Sequence, residues 1–283
     1  MSYLAITPAR NEEQLLPQLI DSMVRQTVLP SRWIIINDGS TDRTALIIDQ
    51  AAQEHGWIEP RHRAPASGRA PGGEGAIDGL LSSAALSYLH VLRLDADLSF
   101  GPELVALLLH EFASDPHLGI AGATLWEPYR GRWREILTPR FHTRGAAKMY
   151  SRICLNAIGG LDSGLGWDTV DEATAMMKGY VSRSFRHIRA YHHRPQAQAN
   201  GKWRGRLASG RAAYRSGYSP AFMLARATAH LANSPYLIGS VLMMWGFLEG
   251  YFRRLPLAAS PELVRFIRRE QRRRLLMLDS RWR

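Results

Sequence analysis

Two aspartates, Asp95 and Asp97, follow the apolar run at residues 90–94 and are separated by a single alanine. Carboxylates this close repel each other unless a cation lies between them or one of them is protonated. Hard divalent ions such as Mg²⁺ and Mn²⁺ prefer oxygen ligands and often share them with the phosphates of a substrate. The spacing, directly after a strand-like run, therefore favours a divalent-metal site.

Polar residues also follow two earlier strand-like runs. Arg10 and Glu12 come after the apolar run at 3–7, and Asp38 comes after the β-branched run at 33–36. In doubly wound sheets, ligands bind beyond the carboxyl ends of the strands. No Gly-x-Gly-x-x-Gly motif follows the first strand, and no P-loop motif occurs in the sequence, which argues against dehydrogenases and P-loop enzymes.

The elements that must position these residues alternate between strand and helix. Strand-like runs at 3–7, 33–36 and 90–94 alternate with helical patterns at 41–52 and 102–112. This alternation predicts βαβ units. The expected fold class is α/β, with a doubly wound, mostly parallel sheet flanked by helices and a basic, partly apolar, helical C-terminal extension.

Positive charge is concentrated at the C-terminal end of the chain. The formal net charge is +11, and residues 201–283 hold 16 Lys/Arg against four Asp/Glu. Such a segment suggests contact with an anionic surface, either lipid headgroups or nucleic acid. Nucleic acid is the weaker alternative, because the sequence holds no recognisable nucleic-acid-binding motif.

Composition narrows the class of protein and its compartment. A chain that is 46% hydrophobic and 22% charged is neither wholly disordered nor a polytopic membrane protein. Its single cysteine excludes a disulfide scaffold and favours a reducing compartment. The N-terminus lacks the basic and apolar regions of a secretory signal. The expected location is therefore the cytoplasm.

The segment at 236–248 is apolar and short. It holds 13 residues without a charge. A helix of that length spans about 20 Å, whereas the hydrocarbon of a bilayer is about 30 Å thick. An interfacial or re-entrant helix on the inner face of the membrane is expected. A helix packed on the body of the protein and a true membrane span are the alternatives.

Four segments together resemble the family-2 glycosyltransferases of the GT-A fold. They are residues 6–13, 35–42, 94–97 and a two-part segment at 159–162 and 166–172. The resemblance covers roughly residues 3 to 195 in the order and spacing of that family. It implies a nucleotide-sugar donor, a divalent metal and inversion at the anomeric carbon.

The resemblance also implies roles for the matching residues on the donor side. Asp38 would meet the uracil or ribose of a donor in which UDP is favoured, and Asp97 would ligate Mg²⁺ or Mn²⁺. Either His192 or His193 would be a further metal or diphosphate contact, although a histidine pair is more often at the surface or in packing. The remaining donor-side residues are Pro8, Arg10, Glu12, Arg69 and Asp95.

The catalytic base is less sharply defined. In the family it is an Asp that usually follows a Glu, whereas the matching position here reads Trp167-Asp168. The choice of base therefore lies between Asp168 and Asp171, with Asp168 favoured. At positions i and i+3 of a helix the two carboxylates could share one face. The alternative is that both belong to the acidic first turn of a helix.

The expected organisation has three parts: a GT-A domain at 1–195, a connector at 196–219 and a basic amphipathic extension at 220–283. Residues 1–100 would form the nucleotide-sugar half of the domain, and 101–195 the acceptor half. The expected function is transfer of one sugar to an acceptor hydroxyl, on a lipid-linked or other acceptor, in cell-envelope or surface glycan synthesis. An inert nucleotide-sugar-binding module and a nucleotidyltransferase are the alternatives.

Overall fold

The computed structural model describes residues 2–64, 88–160, 166–194, 201–231 and 236–282. The chain divides into two compact units. The first, here called the sheet unit, comprises Met1–Leu161 and Lys178–His193. The second, here called the helical unit, comprises Asp162–Met177 and Arg194–Arg283. This division separates residues 162–177, and the last two residues, 194 and 195, from the rest of the domain expected at 1–195.

In its described part, the sheet unit is built on nine strands: β1 (Tyr3–Ala9), β2 (Arg32–Asp38), β3 (Ile58–Arg63), β4 (His90–Leu94), β5 (Leu98–Phe100), β6 (Leu118–Tyr129), β7 (Arg132–Glu135), β8 (Ala147–Ser151) and β9 (Val181–His192). Strands β3, β2, β1 and β4 are neighbours in that order and are parallel. Strand β8 lies between β4 and β6 and is antiparallel to both. Strand β9 is parallel to β6, and β5 pairs antiparallel with β9. The short strand β7 pairs antiparallel with β6.

Four helices in the described part of this unit complete the α/β architecture that the alternating pattern predicts. Strand β1 is buried along its whole length, as expected of a parallel strand covered on both faces. Leu16, Leu19 and Met23 are buried at the spacing of one helical face. The helices are α1 (Leu16–Val24), α2 (Thr44–Glu54), α3 (Leu104–Ser114) and α4 (Arg152–Ile158).

Helix α4 holds the only cysteine of the chain. Ser151 caps the helix, because its Oγ accepts a hydrogen bond from the backbone N–H of Cys154 at 3.3 Å. The Cys154 thiol is fully buried. A Cβ on Gly119 would lie 2.5 Å from the Sγ of Cys154, so the glycine is required for this close approach.

The helical unit contains five helices in its described part. Two of them begin with a Ser-Pro pair: Ser219 Oγ accepts from the N–H of Phe222, and Ser260 Oγ accepts from the N–H of Leu263, each at 3.2 Å. Serine at the cap with proline in the first turn is a strong helix start. The helices are α5 (Trp167–Met177), α6 (Lys202–Arg215), α7 (Pro220–Ala229), α8 (Tyr236–Phe252) and α9 (Pro261–Leu275).

Helix α6 occupies most of the segment expected to be a connector. Its glycines weaken the helical propensity of the segment. One of them allows α6 to lie directly against α8, since a Cβ on Gly210 would fall 1.9 Å from the carbonyl oxygen of Met243. Gly246 on α8 makes the reciprocal approach, with 2.1 Å from its Cβ position to the oxygen of Leu207. Packing between the two helices therefore outweighs the low propensity.

This contact predicts opposite effects for two alanine substitutions in α6. Gly210→Ala should lower the free energy of unfolding by about 1–3 kcal/mol, because backbone atoms of α8 cannot move aside cheaply. Gly205→Ala is the matched control, since nothing lies within 4 Å of its Cβ position. It should raise stability by up to about 1 kcal/mol through helix propensity. Urea unfolding of both variants measures the difference, and equal effects would contradict the packing argument.

Helix α8 runs four residues beyond the predicted apolar segment and ends at Phe252. In the described part of the chain, no helix combines the length and the apolar character needed to cross a bilayer.

Candidate metal and nucleotide site

Asp95, Asp97 and His192 form the cluster that fits a metal ion. One ligand atom from each lies within 4.8 Å of the others. The two aspartates follow β4, and His192 ends β9. Pairing of β5 with β9 places Leu98 opposite His192, so the histidine lies beside the residue that follows Asp97. The sheet therefore joins residues almost 100 positions apart in the sequence.

Both ring nitrogens of His192 face carboxylates. Its Nε2 lies 3.2 Å from Oδ1 of Asp97, and its Nδ1 lies 3.3 Å from Oε1 of Glu127. Burial lowers the pKa of His192, but the hydrogen bonds to Asp97 and Glu127 outweigh it and raise the pKa to about 9. The site thus favours positive charge between its carboxylates. Two aspartate oxygens and an imidazole nitrogen are a donor set that a divalent metal ion accepts.

Glu127 is a member of the site that the sequence analysis missed. It lies near the end of β6, which pairs with β9, and Arg144 Nη2 lies 3.7 Å from its Oε1. A carboxylate that accepts a hydrogen bond from the second nitrogen of a metal-binding histidine fixes the ring and its tautomer. Glu127 is the one charged residue in Leu118–Tyr129, and a single charge in a mostly apolar strand is the sequence signal that could have identified it.

His193 does not belong to the cluster. Its Nε2 lies 2.7 Å from Oγ of Ser99, and its ring stands edge-to-face against Trp133 at 5.3 Å between centroids. Burial lowers the pKa of His193. Its backbone N–H donates to the carbonyl oxygen of Asp97 at 3.0 Å, which holds the end of β9 against the aspartate loop. Of the two histidines, the structure therefore brings His192 to the aspartate pair.

Asp95 is held by a buried arginine. Nη1 of Arg93 lies 3.0 Å from Oδ1 of Asp95, and the same guanidinium donates to the carbonyl oxygen of Gly145. Arg93 is almost fully buried in β4, whereas the Asp95 carboxylate is one-third exposed. The arginine thus fixes a carboxylate that remains open to solvent and to a ligand.

The loops after β1 and β2 are joined by hydrogen bonds. The backbone N–H of Asn11 donates to Oγ of Ser40 at 3.0 Å, and Oδ1 of Asn11 accepts from the N–H of Thr41 at 2.8 Å. Asn11 adopts a positive φ of 55° to do so. The N–H of Glu12 donates to Oγ1 of Thr44 at 2.7 Å. The two loops are therefore held together and form one rim at the carboxyl ends of β1 and β2.

The predicted nucleoside-side residues lie on this rim and on the strands beneath it. Pro8 is buried in β1 and pairs with Ile36 across the parallel ladder, and Arg10 is half-buried just after the strand. Asp38 ends β2 and is buried, with Nη1 of Arg63 3.6 Å from its Oδ1. Because β1, β2 and β4 are neighbouring parallel strands, their carboxyl ends share one edge of the sheet. Arg69 lies outside the described residues.

The two candidate bases lie on α5 in the helical unit. Asp168 is in the first turn of the helix and half-buried. Asp171 is buried, and its Oδ1 accepts a hydrogen bond from the backbone N–H of Glu172 at 2.6 Å. The two carboxylates therefore differ in access to solvent and in backbone contacts.

Three solved structures have a fold similar to that of this chain. The mannosyltransferase PcManGT from Pyrobaculum calidifontis, in complex with GDP-Man and Mn²⁺, is 18% identical with a TM-score of 0.60, over 94% of this chain and 78% of that one. S. aureus TarS 1–349 is 16% identical with a TM-score of 0.57, over 89% and 72%. GalNAc-T7, with UDP, GalNAc and Mn²⁺, is 14% identical with a TM-score of 0.63, over 99% and 55%.

Sequence comparison gives the family directly. No curated protein sequence matches the chain. The model of Glycosyl transferase family 2 matches residues 4–160, which is more than half of the chain and includes β1, β2, β4 and the aspartate pair. With the GT-A fold of its structural neighbours, this match shows that the chain belongs to glycosyl transferase family 2.

Proposed function

We propose that this glycosyltransferase is metal-dependent and inverting, and that it moves one sugar from a nucleoside diphosphate sugar to an acceptor hydroxyl. The observation that carries the proposal is the cluster of Asp95, Asp97 and His192 beyond the strand ends of a family-2 fold. Two neighbours carry donors or products of this class with Mn²⁺, and TarS 1–349 was solved with UDP-GlcNAc. A UDP-sugar is the favoured donor.

The residues of the cluster would divide the work on the donor side. Asp97, Asp95 and His192 would hold Mg²⁺ or Mn²⁺, which supplies positive charge to the diphosphate leaving group. Glu127 would keep the proton on Nδ1 of His192 and leave Nε2 as the ligand atom. Arg93 would keep the Asp95 carboxylate oriented. Pro8, Arg10, Glu12, Asp38 and Arg69 would bind the nucleoside.

Asp168 is the proposed base. A general base must reach the hydroxyl that it deprotonates, and the half-buried Asp168 is more accessible than the buried Asp171. Asp168 would take the acceptor proton while the acceptor oxygen attacks the anomeric carbon from the face opposite the diphosphate. The new glycosidic bond forms as the bond to the diphosphate oxygen breaks. Attack from the opposite face inverts the configuration.

A donor screen tests this function and its rivals. The full-length protein is incubated with UDP- and GDP-sugars in Mn²⁺, Mg²⁺ or excess chelator, and nucleotide products are separated. We expect slow release of a nucleoside diphosphate from one donor, only with metal. Binding without turnover of any donor would favour an inert module. Pyrophosphate release from a sugar phosphate and a nucleoside triphosphate would favour a nucleotidyltransferase.

Helix α8 carries the surface that we propose for membrane contact. An apolar stripe on it, defined by Leu237, Ile238, Val241, Trp245, Leu248 and Phe252, is exposed, with Trp245 at 57% and Phe252 at 75%. Residues at this spacing share one face of a helix. The exposed Arg253 and Arg254 follow the stripe directly. Apolar side chains beside arginines suit an anionic bilayer, where a lipid-linked acceptor would be found.

Vesicle binding of the full-length protein checks this surface. It should sediment with phosphatidylglycerol vesicles and be largely released by high salt, because each arginine contributes about 1 kcal/mol, screened beyond a Debye length of about 8 Å. Trp245→Ser with Phe252→Ser should weaken binding, whereas Leu224→Ser, an exposed position outside the stripe, should not.

Three outcomes would contradict parts of that proposal. Equal binding to phosphatidylcholine vesicles would remove the electrostatic part. Resistance to both salt and carbonate extraction would indicate a membrane anchor rather than surface contact. No binding to either vesicle would remove the main support for a lipid-linked acceptor.

A further inference from the structure

A second candidate binding site lies wholly within the helical unit. It is a cavity of about 530 Å³, here called the arginine cavity. This volume is in the range of small-molecule sites. The cavity shares no residue with the cluster of Asp95, Asp97 and His192. Its lining residues are Met177, Glu262, Arg265, Phe266, Arg269 and Arg281.

Most of the lining comes from one face of α9. Glu262, Arg265, Phe266 and Arg269 are three or four positions apart in sequence, so they fall on one side of the helix. Phe266 is buried and forms an apolar wall. The guanidinium of Arg269 lies over the Phe266 ring at 5.3 Å, which orients it across that wall.

The third arginine is brought in by the C-terminal segment. Oε2 of the buried Glu270 accepts from the backbone N–H of Arg281 at 2.9 Å and lies 3.1 Å from Oγ of Ser280. The Arg281 side chain then donates to the carbonyl oxygen of Met176 at the end of α5. These bonds fix Arg281 at the cavity although it lies beyond the last helix.

The charges of the lining do not cancel. Three guanidinium groups face one lining carboxylate, that of Glu262. Arg265 forms no ion pair with any residue that the structure describes, and Arg269 has a 3.5 Å contact with Glu270, which neighbours it on α9. An excess of positive charge beside an apolar wall favours an anion that carries an apolar group.

We propose that the arginine cavity binds the phosphate group of an organic phosphate. Guanidinium groups present paired N–H donors that match the oxygens of a phosphate, and several of them can share one phosphate. Phe266 and Met177 offer an apolar surface for the carbon-containing part of the ligand. Phosphate of this kind is carried either by a lipid headgroup or by a soluble ester, and both would use the same contacts.

The test compares two double variants of the full-length protein that lose the same charge. Arg265→Gln with Arg269→Gln alters the cavity. Arg204→Gln with Arg272→Gln is the control, since both arginines are exposed and outside the cavity. The probes are glycerol 3-phosphate in calorimetry and phosphatidic acid vesicles in sedimentation. Circular dichroism verifies that both variants are folded.

The cavity variant should lose about tenfold or more in affinity, since each guanidinium that is removed takes charge-assisted hydrogen bonds to the phosphate with it. The control should change by less than about threefold, as expected for exposed charges. If the cavity variant loses affinity for glycerol 3-phosphate, a soluble phosphate ester is a sufficient ligand. If it loses affinity only for the phosphatidic acid vesicles, the ligand is a lipid headgroup. Equal loss in the two variants, or no binding of either probe to the wild type, would overturn the proposal. Because the readout is binding, failure here leaves the transferase proposal standing.

Discussion

Replacing Asp97 with asparagine should abolish sugar transfer and weaken Mn²⁺ binding in the absence of donor. The substitution keeps the shape of the side chain but removes the charge that faces Nε2 of His192 at 3.2 Å. Mn²⁺ binding is measured directly by electron paramagnetic resonance, and transfer by release of the nucleoside diphosphate. Loss of a charged ligand removes much of the attraction for a divalent ion.

Asp21→Asn is the matched control for this prediction. Asp21 is an exposed aspartate on α1 that forms an ion pair with Arg25, and exposed pairs of this kind contribute little to stability. The control should keep both Mn²⁺ binding and activity. Wild-type turnover in excess chelator, or unchanged Mn²⁺ binding by the Asp97→Asn variant, would contradict the proposed metal site.

Replacing Asp168 with asparagine should lower the rate of transfer by about 10²–10⁴, which is the usual contribution of a positioned general base. Donor and Mn²⁺ binding should stay near the wild-type level, because Asp168 belongs to α5 and not to the metal cluster. Single-turnover kinetics with saturating donor separate the chemical step from binding.

Asp171→Asn is the comparison that assigns the base. The buried Asp171 carboxylate accepts from the N–H of Glu172, so its loss should show mainly as lower stability in thermal unfolding. If Asp171→Asn instead loses rate with normal stability and binding, and Asp168→Asn does not, the base is Asp171.

The strand ends that carry the site could be predicted from the sequence, because the pattern that marks a strand end is local. A buried parallel strand reads as a continuous apolar run, as in β2, and polar residues mark the point where it stops. Helix α6 escaped prediction because its formation depends on a contact with α8 that local propensity does not contain. In the sequence, Gly210 argues against a helix because glycine has low helix propensity. In the structure, the same glycine permits the close contact between α6 and α8.

The site required information that only strand pairing supplies. Neighbouring residues of a strand point to opposite faces, and the sequence could not tell which of His192 and His193 faces the aspartates. Glu127 stands more than 60 positions before His192, and no motif in the sequence links the two residues. The pairing of β6 with β9 brings it to the histidine. The contact between Glu127 and His192 therefore depends on strand pairing, which local sequence patterns do not reveal.

The buried thiol of Cys154 gives the protein an internal reporter of unfolding. It is the sole cysteine and belongs to the sheet unit, so a thiol reagent can react only when that unit opens. The rate of labelling, measured against denaturant, then yields the opening free energy of the sheet unit without an introduced probe. Loss of helical circular dichroism reports both units. A difference between the two midpoints would show that the helical unit unfolds as a separate cooperative step.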